Sequence, residues 1–345
     1  MKEFFRRMLA RPIISLELLI GSLFINILAL ASSLYVMQVL NRYVSQGVDA
    51  TLITLTTGAL LAIVLEFAFR QARASLARGI SANPDELTAL SGFSALTRAK
   101  ISAIEQIPAE TRKEMVSGTA AIETAYNANN ITTILDVPFS LVYVFVLYLL
   151  SPILAYIVVG FIIAVFLVGL IGGLTLQDKT AEMQNASGAG SALLGTVTRE
   201  GDSVRSFNAG EFLRKAWGEH IQGLQRLRRD INGRQGFTQT VTQSSTGLLT
   251  VAVISVGATL AVAGELDVGA MIACNILATR ALQPISKMSS LGAAFAKARQ
   301  SLEMFEKLKD VPLEPDSGSA LRNYSGGLEP RDLAFAFRGA NSPMF

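Results

Sequence analysis

The chain has 345 residues, 50% of them hydrophobic and 17% charged, with a mean hydropathy of +0.42, too apolar for an ordinary soluble globule. Its net charge is only +3 and its basic residues are spread among loops, which argues against nucleic acid as a partner. One cysteine, Cys274, and one histidine, His220, leave no disulfide, zinc cluster, Cys/His dyad or Ser/His/Asp triad to build, so soluble hydrolytic chemistry is not expected.

Crossing the hydrocarbon core takes about 20 mostly apolar residues in a helix, so charge-free runs measure the spans. Between Glu17 and Arg42 lie 24 uncharged residues, which predict a helix over 14–40. The start MKEFFRRMLAR, followed by an apolar run with Ala29-Leu30-Ala31, has a signal peptide as its rival reading. Against it, the apolar run continues through Leu40, and cleavage would leave an odd number of spans. A second, shorter run of 16 residues between Asp49 and Glu66 predicts a helix over 50–70. The 41 uncharged residues between Asp136 and Asp178 are about twice a bilayer thickness, and Ser151-Pro152 splits them into helices over 135–150 and 153–175. A fifth helix is predicted over 240–263, beginning in the Ser/Thr-rich TQTVTQSST, and a sixth over 268–288, interrupted by Arg280.

The basic residues test that count, because cytoplasmic flanks of membrane helices carry excess Lys and Arg. With six spans, Arg42 is the one basic residue, of 30, that falls in the three loops assigned to the far side. The expected topology therefore has both termini in the cytoplasm. The two inner loops occupy about 65 residues each, too long for linkers. Ile221, Leu224, Leu227 and Ile231 recur at helical spacing in one inner loop, as do Phe295, Ala298, Leu302, Phe305 and Leu308 after the sixth span, so helices are expected to continue out of the membrane. The fold class expected is an all-α membrane protein over 1–310. A Pro/Gly/Ser-rich linker follows over 311–327. Over 328–345, Leu333, Phe335 and Phe337 alternate with small residues as in the opening strand of a soluble domain.

Four stretches together carry a family likeness: SLYVMQVLNRYVSQGVDATLITLT at 33–56, ILDVPFSLVYVFVLYLLSPILA at 134–155, GDSVRSFNAGEFLRKAW at 201–217 and GELDVGAMIACNILATRALQPISKM at 264–288. In order and spacing the chain resembles the transmembrane domain of ABC exporters, more narrowly the type I secretion permease/ATPase family. That resemblance implies a homodimer in the lipid of a bacterial inner membrane, forming an alternating-access path for unfolded protein. It also implies periplasmic adaptor and outer-membrane channel partners, and ATP with Mg bound through a nucleotide-binding domain. No phosphate loop ending in Gly-Lys-Ser/Thr occurs, since GLIGGLTLQDK has the wrong spacing, so no autonomous ATP hydrolysis is expected. A nucleotide-binding domain is expected either truncated from this chain or supplied by another subunit. No cysteine-peptidase-like domain is expected ahead of the first helix. Export of peptide or lipid, an inactive or regulatory fragment, and a six-helix channel or receptor stay open as alternatives.

By the same resemblance Phe337 is the candidate adenine-stacking aromatic, with an ordinary strand residue as the competing reading. Coupling helices at the tips of the inner loops map to about 116–127, with Gly118, and 202–217, with Ser203, Arg205 and Asn208. Pathway candidates come from chemistry. Arg280 within a membrane helix costs about 2.5–3.5 kcal/mol at the bilayer centre, so it is expected to face a protein-lined or aqueous cavity, with snorkelling to the inner surface as the alternative. Pro284, one turn on, permits a kink; Asn275 and Glu17 are lesser candidates. His220 reads as a solvated surface residue and Cys274 as a small core residue.

Overall fold

The structure is a computed structural model and describes residues 2–45, 47, 49–107, 109–314, 326–327 and 329–334. A short amphipathic helix α1 (Lys2–Ala10) precedes α2 (Pro12–Gln38), which starts on a proline, the residue that gives up no helical donor in a first turn. A π-helical turn, Val39–Val44, carries α2 to a tight reversal and into α3 (Asp49–Arg98), 50 residues long. At 1.5 Å per residue α3 spans about 75 Å, more than twice the hydrocarbon thickness.

Short helices α4 (Ile101–Ile104), α5 (Ala109–Ser117), α6 (Thr119–Ala125) and α7 (Ala128–Asp136) turn the chain back. Asn127 caps α7 by accepting from the Asn130 amide at 2.9 Å. The third span then continues as α8 (Ser140–Leu150) after a break at 137–139. Pro138 has no N–H to offer, and the neighbouring amides shift to carbonyls three residues back, Phe139 to Asp136 at 3.1 Å and Ser140 to Val137 at 3.2 Å.

On the far side, α8 reverses into α9 (Pro152–Arg199) through the single extended residue Ser151. Helix α10 (Gly201–Ser206) forms a tip before α11 (Gly210–Val262), 53 residues long. The turn into α12 (Val268–Ser290) uses Gly264 at φ +78°, and α13 (Gly292–Lys309) follows on the extended side. Among the described residues six helices are long and apolar enough to cross a membrane, by length and composition.

The membrane-level core gathers Ala29, Leu147, Val158, Leu249, Val253, Leu277 and Leu282 from α2, α8, α9, α11 and α12. A second cluster joins Phe4, Leu18, Ile80, Ile122, Ile134 and Ala298, fastening α1 and α13 against the roots of α2, α3, α6 and α7. The apolar stripe expected after the sixth span is there: Ala298, Phe305 and Leu308 are buried. In a third cluster, Leu308 meets Ala95, Ile104 and Met115. Beyond α13 the chain stays attached for a few residues. Lys100 donates its amide to the Pro312 carbonyl at 2.8 Å, and Glu314 donates to Arg98 at 2.7 Å. Of the expected opening strand, Phe335 and Phe337 lie outside the described residues; no strand forms among those described.

Candidate functional site

A chain of polar side chains crosses the extended-side half of the bundle. Arg73 on α3 is 6% exposed and forks onto Asp136 at the end of α7, Nη1 to Oδ1 at 2.5 Å and Nη2 to Oδ2 at 3.2 Å. The same guanidinium donates to the Ser22 hydroxyl on α2 at 2.9 Å. Asn26, one turn along α2, donates to the Ser22 carbonyl at 2.7 Å and to Asp136 at 3.4 Å. Its own oxygen accepts from the Tyr143 hydroxyl of α8 at 2.9 Å. That leaves the Tyr143 oxygen within reach of Arg280 on α12, whose Nη2 donates to the Ser32 hydroxyl of α2 at 2.9 Å. Buried polar groups need partners, and each link here supplies one, so the network ties α2, α3, α7, α8 and α12 into one unit.

Of the residues singled out from sequence, Arg280 alone joins this network. It is half-buried between α2 and α8, held by the Ser32 hydroxyl and facing the Tyr143 oxygen. Pro284 is buried one turn on within an unbroken α12, and its missing N–H releases the Arg280 carbonyl from its helical bond. Asn275 lies about 140° around the helix from Arg280 at 100° per residue, so the two do not share a face. Its Oδ1 is buried without a partner. Glu17 is exposed and about 22 Å along α2 from Ser32, so the structure does not bring it to Arg280. The Ser/Thr-rich stretch of α11 spends several hydroxyls on its own helix, Thr238 on the Arg234 carbonyl at 3.1 Å and Ser245 on Val241 at 2.8 Å.

The tips of the extensions carry the other candidates. Gly118 sits at the joint between α5 and α6. Ser203, Arg205 and Asn208 are all exposed on and just after α10. Asn208 takes φ +50°, a left-handed conformation that asparagine tolerates, and its amide closes the helix on Arg205 at 3.1 Å. Beside it, Phe207 is 83% exposed and Phe212 73%. Near α5 an open cleft of about 590 Å³ is lined by Leu96, Ile104, Arg112, Lys113, Val116 and Ser117. Among the described residues no cluster of three His, Cys, Asp or Glu could hold a metal.

A family model for the ABC transporter transmembrane region matches residues 15–285. The chain belongs to that family. The match contains the second to fifth candidate spans with both extended hairpins, and most of the first and sixth. The chain is 23% identical over 323 residues to the cyclolysin secretion/processing ATP-binding protein CyaB of Bordetella pertussis, covering 93% of this chain and 45% of the relative. Identity to the alpha-hemolysin translocation ATP-binding protein HlyB of Escherichia coli O157:H7 is 24% over 336 residues, with 94% and 46% coverage. For the leukotoxin export ATP-binding protein LtxB of Aggregatibacter actinomycetemcomitans it is 23% over 340 residues, with 96% and 47% coverage. The chain thus spans a little under half the length of these curated relatives.

Within this ABC transmembrane region, sequence reasoning missed most of the network. Arg73 read as one of several inner-loop charges and Asp136 as the border of an uncharged run, and only folding brings them together from 63 positions apart. Ser22, Asn26 and Tyr143 sit inside apolar runs, where one polar residue is the available signal. His220 is no solvated surface residue, contrary to expectation. Its Nε2 is buried without a partner, and its ring lies 5.9 Å from that of Trp217. Gly190 of α9 makes room for it, since a Cβ there would come within 2.3 Å of Nε2. Phe337 lies outside the described residues.

Proposed function

We propose that this chain is the membrane permease part of an ATP-driven exporter that moves polypeptide across a bacterial inner membrane. It works as a homodimer with alternating access, and both termini face the cytoplasm. One observation carries this reading: α3, α9 and α11, of 50, 48 and 53 residues, all extend on the same side, while the opposite side closes in tight turns. Levers of that length have no use in passive conduction. They reach a driver outside the membrane.

Alternation between two states requires a free energy that differs between them, and ATP-driven closure of nucleotide-binding domains provides it. Such a domain acts in cis or in trans, binding ATP and Mg with its own residues. The α5–α6 joint at Gly118 and the α10 tip at Ser203, Arg205 and Asn208 are its coupling contacts. The exposed Phe207 and the cleft beside Arg112 and Lys113 offer apolar and cationic docking surface to it. Homodimerisation is supported by α3, whose most apolar stretch has none of its residues buried. The names of the relatives, which speak of cyclolysin secretion, alpha-hemolysin translocation and leukotoxin export, support a polypeptide cargo; the reading adds periplasmic adaptor and outer-membrane channel partners for its delivery.

Reconstitution of the chain with a nucleotide-binding partner in proteoliposomes tests this. A labelled unfolded polypeptide is expected to move only with hydrolysable ATP. Movement independent of nucleotide would refute it.

A further inference from the structure

Arg280 carries a positive charge in a membrane-spanning helix whose surroundings do not cancel it. Its side chain donates to the Ser32 hydroxyl at 2.9 Å and faces the Tyr143 oxygen, and both groups are neutral. The carboxylates nearby are engaged elsewhere, Asp136 by the fork of Arg73 and Glu66 by Arg70 at 2.6 Å. The network around Tyr143 therefore holds two guanidinium groups, Arg73 and Arg280, against the one carboxylate of Asp136. Tyr143 spends its proton on Asn26, which orients its oxygen toward Arg280 and keeps the cation fixed. The flanking Leu277, Ala281 and Leu282 are fully buried, so the local dielectric is low and an uncompensated charge is costly. Arg280 itself stays half-buried, open enough for a partner to arrive. A guanidinium presents parallel N–H donors matched to the two oxygens of a carboxylate, a geometry an ammonium does not offer.

We infer that Arg280 is a cargo-recognition residue that binds a carboxylate of the translocated chain. This rests on the export reading above and names the chemistry that its path selects. The anion is either an acidic side chain or a C-terminal carboxylate, which share this chemistry. Charge on the cargo offsets the cost of the lone guanidinium while the cargo is bound, so acidic segments are favoured over neutral ones of the same shape.

The test uses the full chain in nanodiscs of zwitterionic lipid and fluorescence anisotropy with labelled Gly/Ser peptides. One peptide carries aspartates and an amidated C-terminus, a second carries asparagines and an amidated C-terminus, and a third is neutral with a free C-terminus. The aspartate peptide, the free-terminus peptide or both are expected to bind about tenfold or more tightly than the neutral amidated one. Arg280→Gln is expected to abolish that preference and Arg280→Lys to keep part of it. The thermal midpoint of Arg280→Gln should not fall, because a cation with neutral partners is removed; a purely structural role would lower it. Equal binding of all three peptides, or a preference that survives Arg280→Gln, would overturn the inference while leaving polypeptide export standing. Loss of the preference on adding anionic lipid to the disc would assign Arg280 to headgroups and overturn it too. If no peptide binds, the inference falls together with its parent reading.

Discussion

At the level of single residues, the fork of Arg73 on Asp136 is the interaction whose loss is easiest to weigh. Both groups are largely withdrawn from water, so removing one leaves the other as an orphan charge, a change worth about 3–5 kcal/mol. Arg73→Ala and Asp136→Ala are each expected to lower the unfolding midpoint in detergent by a corresponding amount. The double replacement by apolar residues should lose less than the sum. If the losses simply add, the pair is not coupled. Tyr126, outside the membrane at the α6–α7 junction, behaves differently. Burial raises its pKa above the usual 10.0, with Glu3 adding to the rise and Arg7 and Arg6 opposing it. Above the unfolded value the unfolded chain holds fewer protons at this site than the native one, so stability falls as pH climbs from there, and nothing is lost below it. Comparing alkaline unfolding of the wild type with Tyr126→Phe checks this: the variant should lack that component of the loss.

Elements are shaped by residues whose backbone chemistry forbids the continuation of a helix. The span predicted over 135–150 is a helix in two pieces because Pro138 withholds a donor, and the charge-free run gave no hint of the α7 turn preceding it. Gly264 shows the same logic in a turn. An L-residue there must take φ +78°, so Gly264→Ala should cost about 1–2 kcal/mol and loosen the reversal into α12, visible as faster hydrogen exchange at its first amides. The start of α12 also depends on close approach. A Cβ on Gly269 would meet Asn41 Oδ1 at 2.3 Å and the Met37 carbonyl at 2.7 Å, while the Gly269 amide donates to Asn41 at 3.2 Å. Gly269→Ala is therefore expected to destabilise by about 1–3 kcal/mol. Asn41→Ala should rescue it only in part, since the backbone carbonyl remains; complete rescue would show that the helix ends are not in contact.

For the molecule as a whole, the asymmetry of the extensions is the feature on which the proposed export rests. Helices α3, α9 and α11 all continue on one side, and reporters placed at the α10 tip and in the 263–267 turn are expected to fall in opposite compartments. Reporters at both termini should share the compartment of the α10 tip. A reporter in the 263–267 turn on the same side as the α10 tip would remove a span and with it the lever reading. Large apolar side chains are exposed on other spans too, Leu149 at 67% on α8 and Ile171 at 60% on α9, as positions facing lipid require.

Six candidate spans and the helical extensions were legible in the bare sequence because they rest on local quantities: length of an apolar run and period of an apolar stripe. Arg280 could be picked out for the same reason, as a charge in a place where charge is expensive. Its partners could not. Ser32, Tyr143, Asn26, Asp136 and Arg73 are brought together by helix packing across as many as 248 positions of sequence, and no local pattern encodes such a distance. The tertiary structure alone decided that Asp136 serves Arg73 and not Arg280. It also decided that Asn275 and Glu17 stand apart from that site, and that His220 fills the space left by Gly190. Burial converts a residue type into an interaction, and burial is a property of the packed bundle.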